Sequence, residues 1–164
     1  MSRVTDHLEQ RGIAYGMLTH ERTYTSIGEA RALGFEADEV AKTILLDLES
    51  GHAAVIVPAS KRLDMRRVKE AVGDRHARLA TEDEIERDLA GFELGSLPPI
   101  PSLLGIPAYV DPELLDHQTI VFAAGTQTES VQARTEDLFR DERYGTAHLT
   151  REPDGDKEFM GLGT

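Results

Sequence analysis

The 164-residue chain sets 18 Lys and Arg against 30 Asp and Glu, a formal charge of −12, and contains no cysteine. Disulfides, thiolate catalysis and cysteine-based metal sites are thereby excluded, and an acidic surface repels the phosphates that a broad nucleic-acid binder has to grip. The length fits one domain, expected over residues 1–150 with a loosely held tail at 151–164. No apolar run approaches the ~20 residues that span a bilayer, so a soluble cytoplasmic protein with no membrane or DNA partner is expected.

Val4, Leu8 and a break at Gly12 predict a first helix, and residues 13–18 a short strand. Ser26 followed by Glu29 has the spacing of a capping box. With Ala30, Leu33 and a stop at Gly34, it predicts a short helix whose N-terminus carries Thr25 and Ser26. Residues 36–41 read as a helical turn. Residues 43–48 and 53–57 are apolar runs that alternate poorly, as strands covered on both faces do, and Ser50-Gly51 joins them into a hairpin.

Asp64 is placed to cap a helix through Met65, Val68 and Val72 that Gly73 ends. A short strand at 77–79 then leads to Thr81, which caps a helix through Ile85 and Leu89 stopping at Gly91. Residues 91–107 are dense in Gly and Pro and predict a loop held in shape. Strands are expected at 108–111 and 119–123, separated by an Asp111-Pro112 turn, and at 130–133, before a last helix beginning at Thr135 with Asp137 and Leu138. A hairpin among interspersed helices, without regular β-α-β spacing, predicts an α/β (α+β) fold with a mixed sheet and helices packed around it.

Two features carry chemistry on their own residue types. Lys42 stands at the head of an apolar strand, where a long cation either snorkels to solvent or is held by partners at the sheet's edge. In Gly95-Ser96-Leu97-Pro98-Pro99, Gly permits close backbone approach to a ligand and Pro keeps the loop stiff, so successive N–H groups can be aimed at a ligand's oxygen. A local basic group, Lys61, Arg62, Arg66, Arg67 and Lys69, offsets the overall acidity in one stretch. The six histidines lack HxxxH or HExxH spacing, and there is no GxSxG elbow or P-loop, so neither metal nor cofactor is expected.

The order of these landmarks is more specific than any one of them. Thr25-Ser26 with Glu29-Ala30, then Lys42-Thr43-Ile44-Leu45-Leu46, then the GxxxP loop, then Ala123-Ala124-Gly125 resembles the YbaK family and the editing domain inserted in bacterial prolyl-tRNA synthetases, over residues 18–140. The resemblance implies a mixed, partly closed sheet surrounded by helices. It also implies a trans-editing aminoacyl-tRNA deacylase that hydrolyses the ester of a small mischarged amino acid, of the Ala, Ser or Cys class, with tRNA(Pro) the favoured carrier. The substrate's ribose hydroxyl and a positioned water would do the chemistry.

Lys42 falls where the family's essential lysine stands, placed to contact the phosphate or ribose of the terminal adenosine, and Gly95 opens the catalytic loop. His20, Thr25, Thr43, Ser96, Leu97, Pro98, Pro99, Gly125 and Ser130 fall at substrate-binding positions, with Gly125 lining the amino-acid pocket and Ser130 where some members have a carboxylate. Pro98 departs from the Ser of many YbaK-like members, is closer to the synthetase-inserted domain, and removes one backbone donor. The implied partners are the aminoacyl-tRNA 3′ end and a prolyl-tRNA or other synthetase. The alternative is a non-catalytic, amino-acid- or synthetase-binding regulatory module of the same fold.

Overall fold

A computed structural model describes residues 2–152. Helix α1 (Arg3–Gln10), strand β1 (Tyr15–Thr19) and helix α2 (Ser26–Leu33) are followed by a 3-10 turn (Ala37–Glu39) and the strands β2 (Ala41–Leu48), β3 (Gly51–Pro58) and β4 (Arg62–Leu63). Helix α3 (Met65–Val72), strand β5 (Arg78–Leu79), helices α4 (Glu82–Asp88) and α5 (Pro101–Leu104), strand β6 (Ala108–Val110) and helix α6 (Pro112–Leu115) come next. Strands β7 (Thr119–Ala123) and β8 (Glu129–Arg134), helix α7 (Thr135–Phe139) and the short strands β9 (Gly145–Thr146) and β10 (Thr150–Arg151) complete the described chain.

The strands form a five-stranded mixed sheet in the order β5-β2-β3-β6-β9, a three-stranded sheet β1-β8-β7, and a two-stranded pair β10-β4. The predicted hairpin is β2 on β3, antiparallel from Ala41 opposite Pro58 to Leu48 opposite Gly51. β6 joins β3 in parallel, and β9 joins β6 in parallel, which makes the sheet mixed. A single parallel bridge between Val40 and Val121 brings the end of the three-stranded sheet to the start of β2.

Burial explains why the central strands do not alternate. On β3, Ala54 and Ile56 face a core shared with Ile120, Phe122 and Val131 of the three-stranded sheet and with Val4 and Leu8 of α1. Val55 and Val57, pointing the other way as strand geometry requires, join Leu46, Val68 and Leu149 in a second cluster. Both faces are dry over residues 53–57, so each of those positions is apolar.

Some local readings change. Thr25 is the N-cap of α2, its Oγ1 accepting the Gly28 N–H at 3.0 Å, while Ser26 is the first helical residue and Glu29 is buried instead of closing a capping box. Thr25 wins because its backbone is extended, as the cap position needs, and Ser26 is already helical. Residues 91–107 are not loop throughout, since Pro101 sits in the first turn of α5, where its missing N–H costs nothing. Asp111-Pro112 likewise opens a helical turn instead of a simple bend. Arg151, expected in a loose tail, pairs with Arg62, and the remainder of that expectation, 153–164, lies outside the described residues.

Asp111 secures this last stretch. It is fully buried, and one carboxylate oxygen accepts the Glu113 N–H at 2.9 Å while the other accepts the Leu149 N–H at 2.8 Å and the Thr150 hydroxyl at 3.2 Å. One side chain thus caps α6 and holds β10 against the sheet. Asp111→Ala removes a helix cap and orphans a buried N–H, so a loss of about 2–4 kcal/mol is expected. That corresponds to a Tm lowered by roughly 5–12 °C in calorimetry, and a shift under about 2 °C contradicts this account of Asp111.

Candidate active site

Strand β5 pairs with β2 only at Leu46 and Asp47, which leaves the first half of β2 without a neighbour on that side. A cleft of about 270 Å³ runs along this open edge. Thr25 and Tyr24 close one side, Gly95 and Leu97 of the GxxxP loop another, and Ile44, Leu79 and Ile85 supply an apolar floor and rim. The strand edge itself presents Lys42 and Thr43.

Lys42 is half-buried, and its Nζ donates to the Lys61 carbonyl at 3.1 Å. Burial lowers its pKa from the ordinary lysine value, and the nearby Arg62 charge lowers it further. A desolvated ammonium beside another cation is poised to accept an anionic or strongly polar ligand. The Thr43 hydroxyl is buried with no hydrogen-bond partner, a second unmet demand on the same strand edge.

The loop is held from three directions. The Glu93 N–H donates to the Gly125 carbonyl at 2.8 Å, Gln127 Nε2 donates to the Leu94 carbonyl at 2.8 Å, and the Gln127 N–H donates to the Glu93 carboxylate at 2.9 Å. Gly95 has φ +78°, and a Cβ built on it falls on the Tyr24 carbonyl oxygen. Glycine is required there both for the left-handed backbone and for the close approach.

The predicted donor set is smaller than the motif suggests. The Ser96 N–H turns inward to the Glu93 carbonyl at 3.1 Å, and the Ser96 hydroxyl donates to the same oxygen at 2.6 Å. Pro98 and Pro99 have no N–H and are buried beneath the loop. The N–H groups of Gly95 and Leu97 are the loop donors next to the cleft.

Behind the loop lies a narrow crevice lined by His20, Glu29, Gly95, Ser96, Gln127 and Ser130. His20 and Ser130 therefore meet on the far side of Gly95, separate from Lys42 and Thr43. His20 Nε2 lies 2.9 Å from Ser130 Oγ, and Ser130 also hydrogen-bonds the Glu29 carboxyl. Burial pushes the Glu29 carboxyl above its ordinary value, against the opposing pull of the Ser130 hydrogen bond and the His20 ring. Sequence reading missed Glu29 in this role. The available signal was a carboxylate four residues before Leu33, on the stripe that α2 turns inward.

Gly125 lines neither cavity. Its carbonyl anchors Glu93, and a Cβ there would press on the Phe92 ring at 3.1 Å, so it supports the loop from behind. The basic stretch is largely compensated: Lys61 pairs with Glu152, and Arg67 lies 3.5 Å from Asp64 and donates to the Thr150 carbonyl at 3.0 Å. Arg62 lies near enough to Lys42 for its charge to act there, and Arg66 is exposed.

Among the described residues, Asp111, Glu113 and His148 come close enough to share an ion, a grouping that histidine spacing could not reveal. Both Asp111 oxygens already accept protein donors, so this cluster reads as part of the β10 anchor. No helix among the described residues is long and apolar enough to cross a membrane.

No curated protein matches the chain. Solved structures do. The structure of the hypothetical protein APE2540 superposes with a TM-score of 0.80 at 26% identity, covering 90% of this chain and 99% of that one. A candidate trans-editing enzyme for prolyl-tRNA synthetase superposes with a TM-score of 0.77 at 28% identity, covering 91% and 95%. The family model for the aminoacyl-tRNA editing domain matches residues 20–140, a span that holds the open edge of β2, the Gly95 loop and the crevice behind it, and the chain belongs to that family.

Proposed function

We propose that the protein is a trans-editing deacylase that hydrolyses the ester between a small mischarged amino acid, of the Ala, Ser or Cys class, and tRNA(Pro). The observation that carries this reading is the pairing of a half-buried, under-partnered Lys42 and an unpaired Thr43 hydroxyl with the glycine-pinned loop across one small cleft. Lys42 receives the phosphate or ribose of the terminal adenosine. The N–H groups of Gly95 and Leu97 face the ester, where donors preset for the developing oxyanion act without reorganising. The Lys42 ammonium offers local attraction for the acceptor end on a chain whose overall charge is −12.

Selectivity follows from size. A cleft of about 270 Å³ with an apolar floor of Ile44 and Ile85 accepts a short side chain, and each methylene separates substrates by only ~1–3 kcal/mol. The likeness to a candidate trans-editing enzyme for prolyl-tRNA synthetase supports tRNA(Pro) as carrier, and a synthetase as the partner that selects it. The reading is tested by deacylation of a panel of charged tRNAs. Binding of charged tRNA or of a synthetase without hydrolysis would favour the regulatory-module alternative.

Lys42→Ala is expected to reduce single-turnover deacylation by at least about a hundredfold, the size of a lost charged contact in the transition state. The Tm should hold or rise, because a desolvated cation leaves the fold; a variant with wild-type rate removes Lys42 from the mechanism. The sign of the pH effect follows from the lowered Lys42 pKa: activity that needs the ammonium is complete below it and declines as pH rises through it, at a pH under the ordinary value of 10.5. A rate that is flat to that value contradicts the role.

Gly95→Ala places a methyl on the Tyr24 carbonyl, so the loop withdraws from the cleft. Loss of one donor at ~3 kcal/mol predicts a rate drop of roughly a hundredfold with little change in affinity for uncharged tRNA. Equal losses in both would make the loop a docking surface. The cleft lining offers no carboxylate or imidazole to hold a metal, so dialysis against EDTA should leave the rate unchanged, and loss restored by zinc would overturn that expectation.

A further inference from the structure

The crevice behind Gly95 contains a hydrogen-bond chain whose protons can be counted. His20 Nδ1 lies 2.7 Å from the Glu21 carbonyl oxygen, which only accepts, so Nδ1 carries a hydrogen. At its other end the ring meets Ser130 Oγ at 2.9 Å, and Ser130 meets Glu29 Oε2. Ser130 is fully buried and Glu29 is 3% exposed, so water does not complete the set. Ser130 has one hydrogen to give and two neighbours that take or give.

Two arrangements satisfy every atom. With Glu29 ionised, Ser130 donates to it and His20 Nε2 must donate to Ser130, making the ring an imidazolium. With Glu29 protonated, its O–H donates to Ser130, Ser130 donates to Nε2, and the ring is neutral. Each arrangement holds one mobile proton. They interconvert when the Glu29 proton moves to Ser130 Oγ as the Ser130 proton moves to His20 Nε2, with no change in total charge. Removing the proton leaves two acceptors competing for one hydroxyl hydrogen, which a buried site penalises.

We propose that Glu29, Ser130 and His20 form a proton relay beneath the Gly95 loop, in which Glu29 is the positioning residue that sets the charge of His20. Half-exposed His20 ends the chain, and Gly95 is the wall that the crevice shares with the cleft. The other crevice residues, Thr23, Ser96, Ala123, Thr126 and Gln127, are uncharged. Arg22 is tied to Glu93 and Gln127, Glu129 accepts from Thr126, and the carboxylate of Glu21, whose carbonyl holds the ring, belongs to an exposed residue.

The use of the relay rests on the deacylase reading. Water adds to the ester carbon, the ester C–O bond breaks, and the proton given up by the water ends on the ribose oxygen, so one water is consumed for one acid and one alcohol. No proton crosses the loop, because both His20 ring nitrogens are engaged on its far side. The imidazolium charge that Glu29 sets acts across the Gly95 wall on the oxyanion that develops in the cleft.

The test uses the full chain with ¹⁵N-labelled histidine, observing the His20 ring nitrogens at neutral pH beside kcat and KM for deacylation. In Glu29→Gln the amide donates to Ser130, so Ser130 donates to Nε2 and the ring is fixed neutral. Ser130→Ala cuts the chain, and Ser130→Thr keeps a hydroxyl in place. Glu29→Gln is expected to shift the His20 ¹⁵N resonances to those of a neutral ring and to lower kcat by roughly a hundredfold with KM little changed. Ser130→Ala should do likewise in kcat, and Ser130→Thr should restore most of it.

His20 resonances and a pH–rate profile unchanged in folded Glu29→Gln would overturn the relay. Should Glu29→Gln not fold, Ser130→Ala and Ser130→Thr decide: equal rates in the two overturn it. Coupled resonances in a protein that deacylates no charged tRNA would uphold the relay and instead overturn the deacylase reading.

Discussion

The approach of Gly95 to the Tyr24 carbonyl is the contact on which the site depends. It admits no side chain, and it draws the GxxxP loop against the residues that open α2. The loop then becomes a partition one backbone thick. Lys42, Thr43 and an apolar floor lie on one side, and Glu29, Ser130 and His20 on the other. The hydrogen bonds from Gln127 and Glu93 that brace the loop fix this partition in place. Preorganisation of this kind matters because donors that need not move cost nothing to align when charge develops.

Electrostatics at the site run against the composition of the chain. A protein of charge −12 gathers Lys42, Lys61 and Arg62 at one end of its cleft. Lys61 is compensated by Glu152 and Glu113, whereas Lys42 is left with a backbone carbonyl. The field that a ligand meets is thus local, and the acidic remainder discourages longer contact with a polyanion. That pattern suits the proposed reading, in which the protein handles the tip of an acceptor stem and leaves recognition of its body to a partner.

The sheet makes such a site affordable in stability terms. β3 is buried on both faces, and the cores on either side of it give the hairpin a rigid base. Against that base the edge of β2 that β5 leaves unpaired stays open and carries a partly buried cation and a buried, orphaned hydroxyl. These are local liabilities that a well-packed neighbourhood tolerates, and they concentrate where ligands bind.

Much was legible in the residues alone because it depends on near neighbours. The hairpin of β2 and β3, the caps at Asp64 and Thr81 and the stops at Gly34 and Gly73 follow from spacing, capping chemistry or backbone freedom, whereas Lys42 and Gly95 stand out only through the family resemblance. The choice of Thr25 over Ser26 as cap was not, since both carry a suitable hydroxyl and only the backbone at each decides.

Tertiary structure alone decided which residues share a cavity. Glu29 and Ser130 stand 101 positions apart and His20 and Ser130 110 apart, joined because β1 pairs with β8 while α2 folds over them. It turned the Ser96 N–H inward and withdrew Gly125 from the pocket to brace the loop. The reason is physical: local patterns register the conformation of a few consecutive residues, whereas the meeting of distant side chains is set by how sheets and loops pack, and that is a property of the whole core.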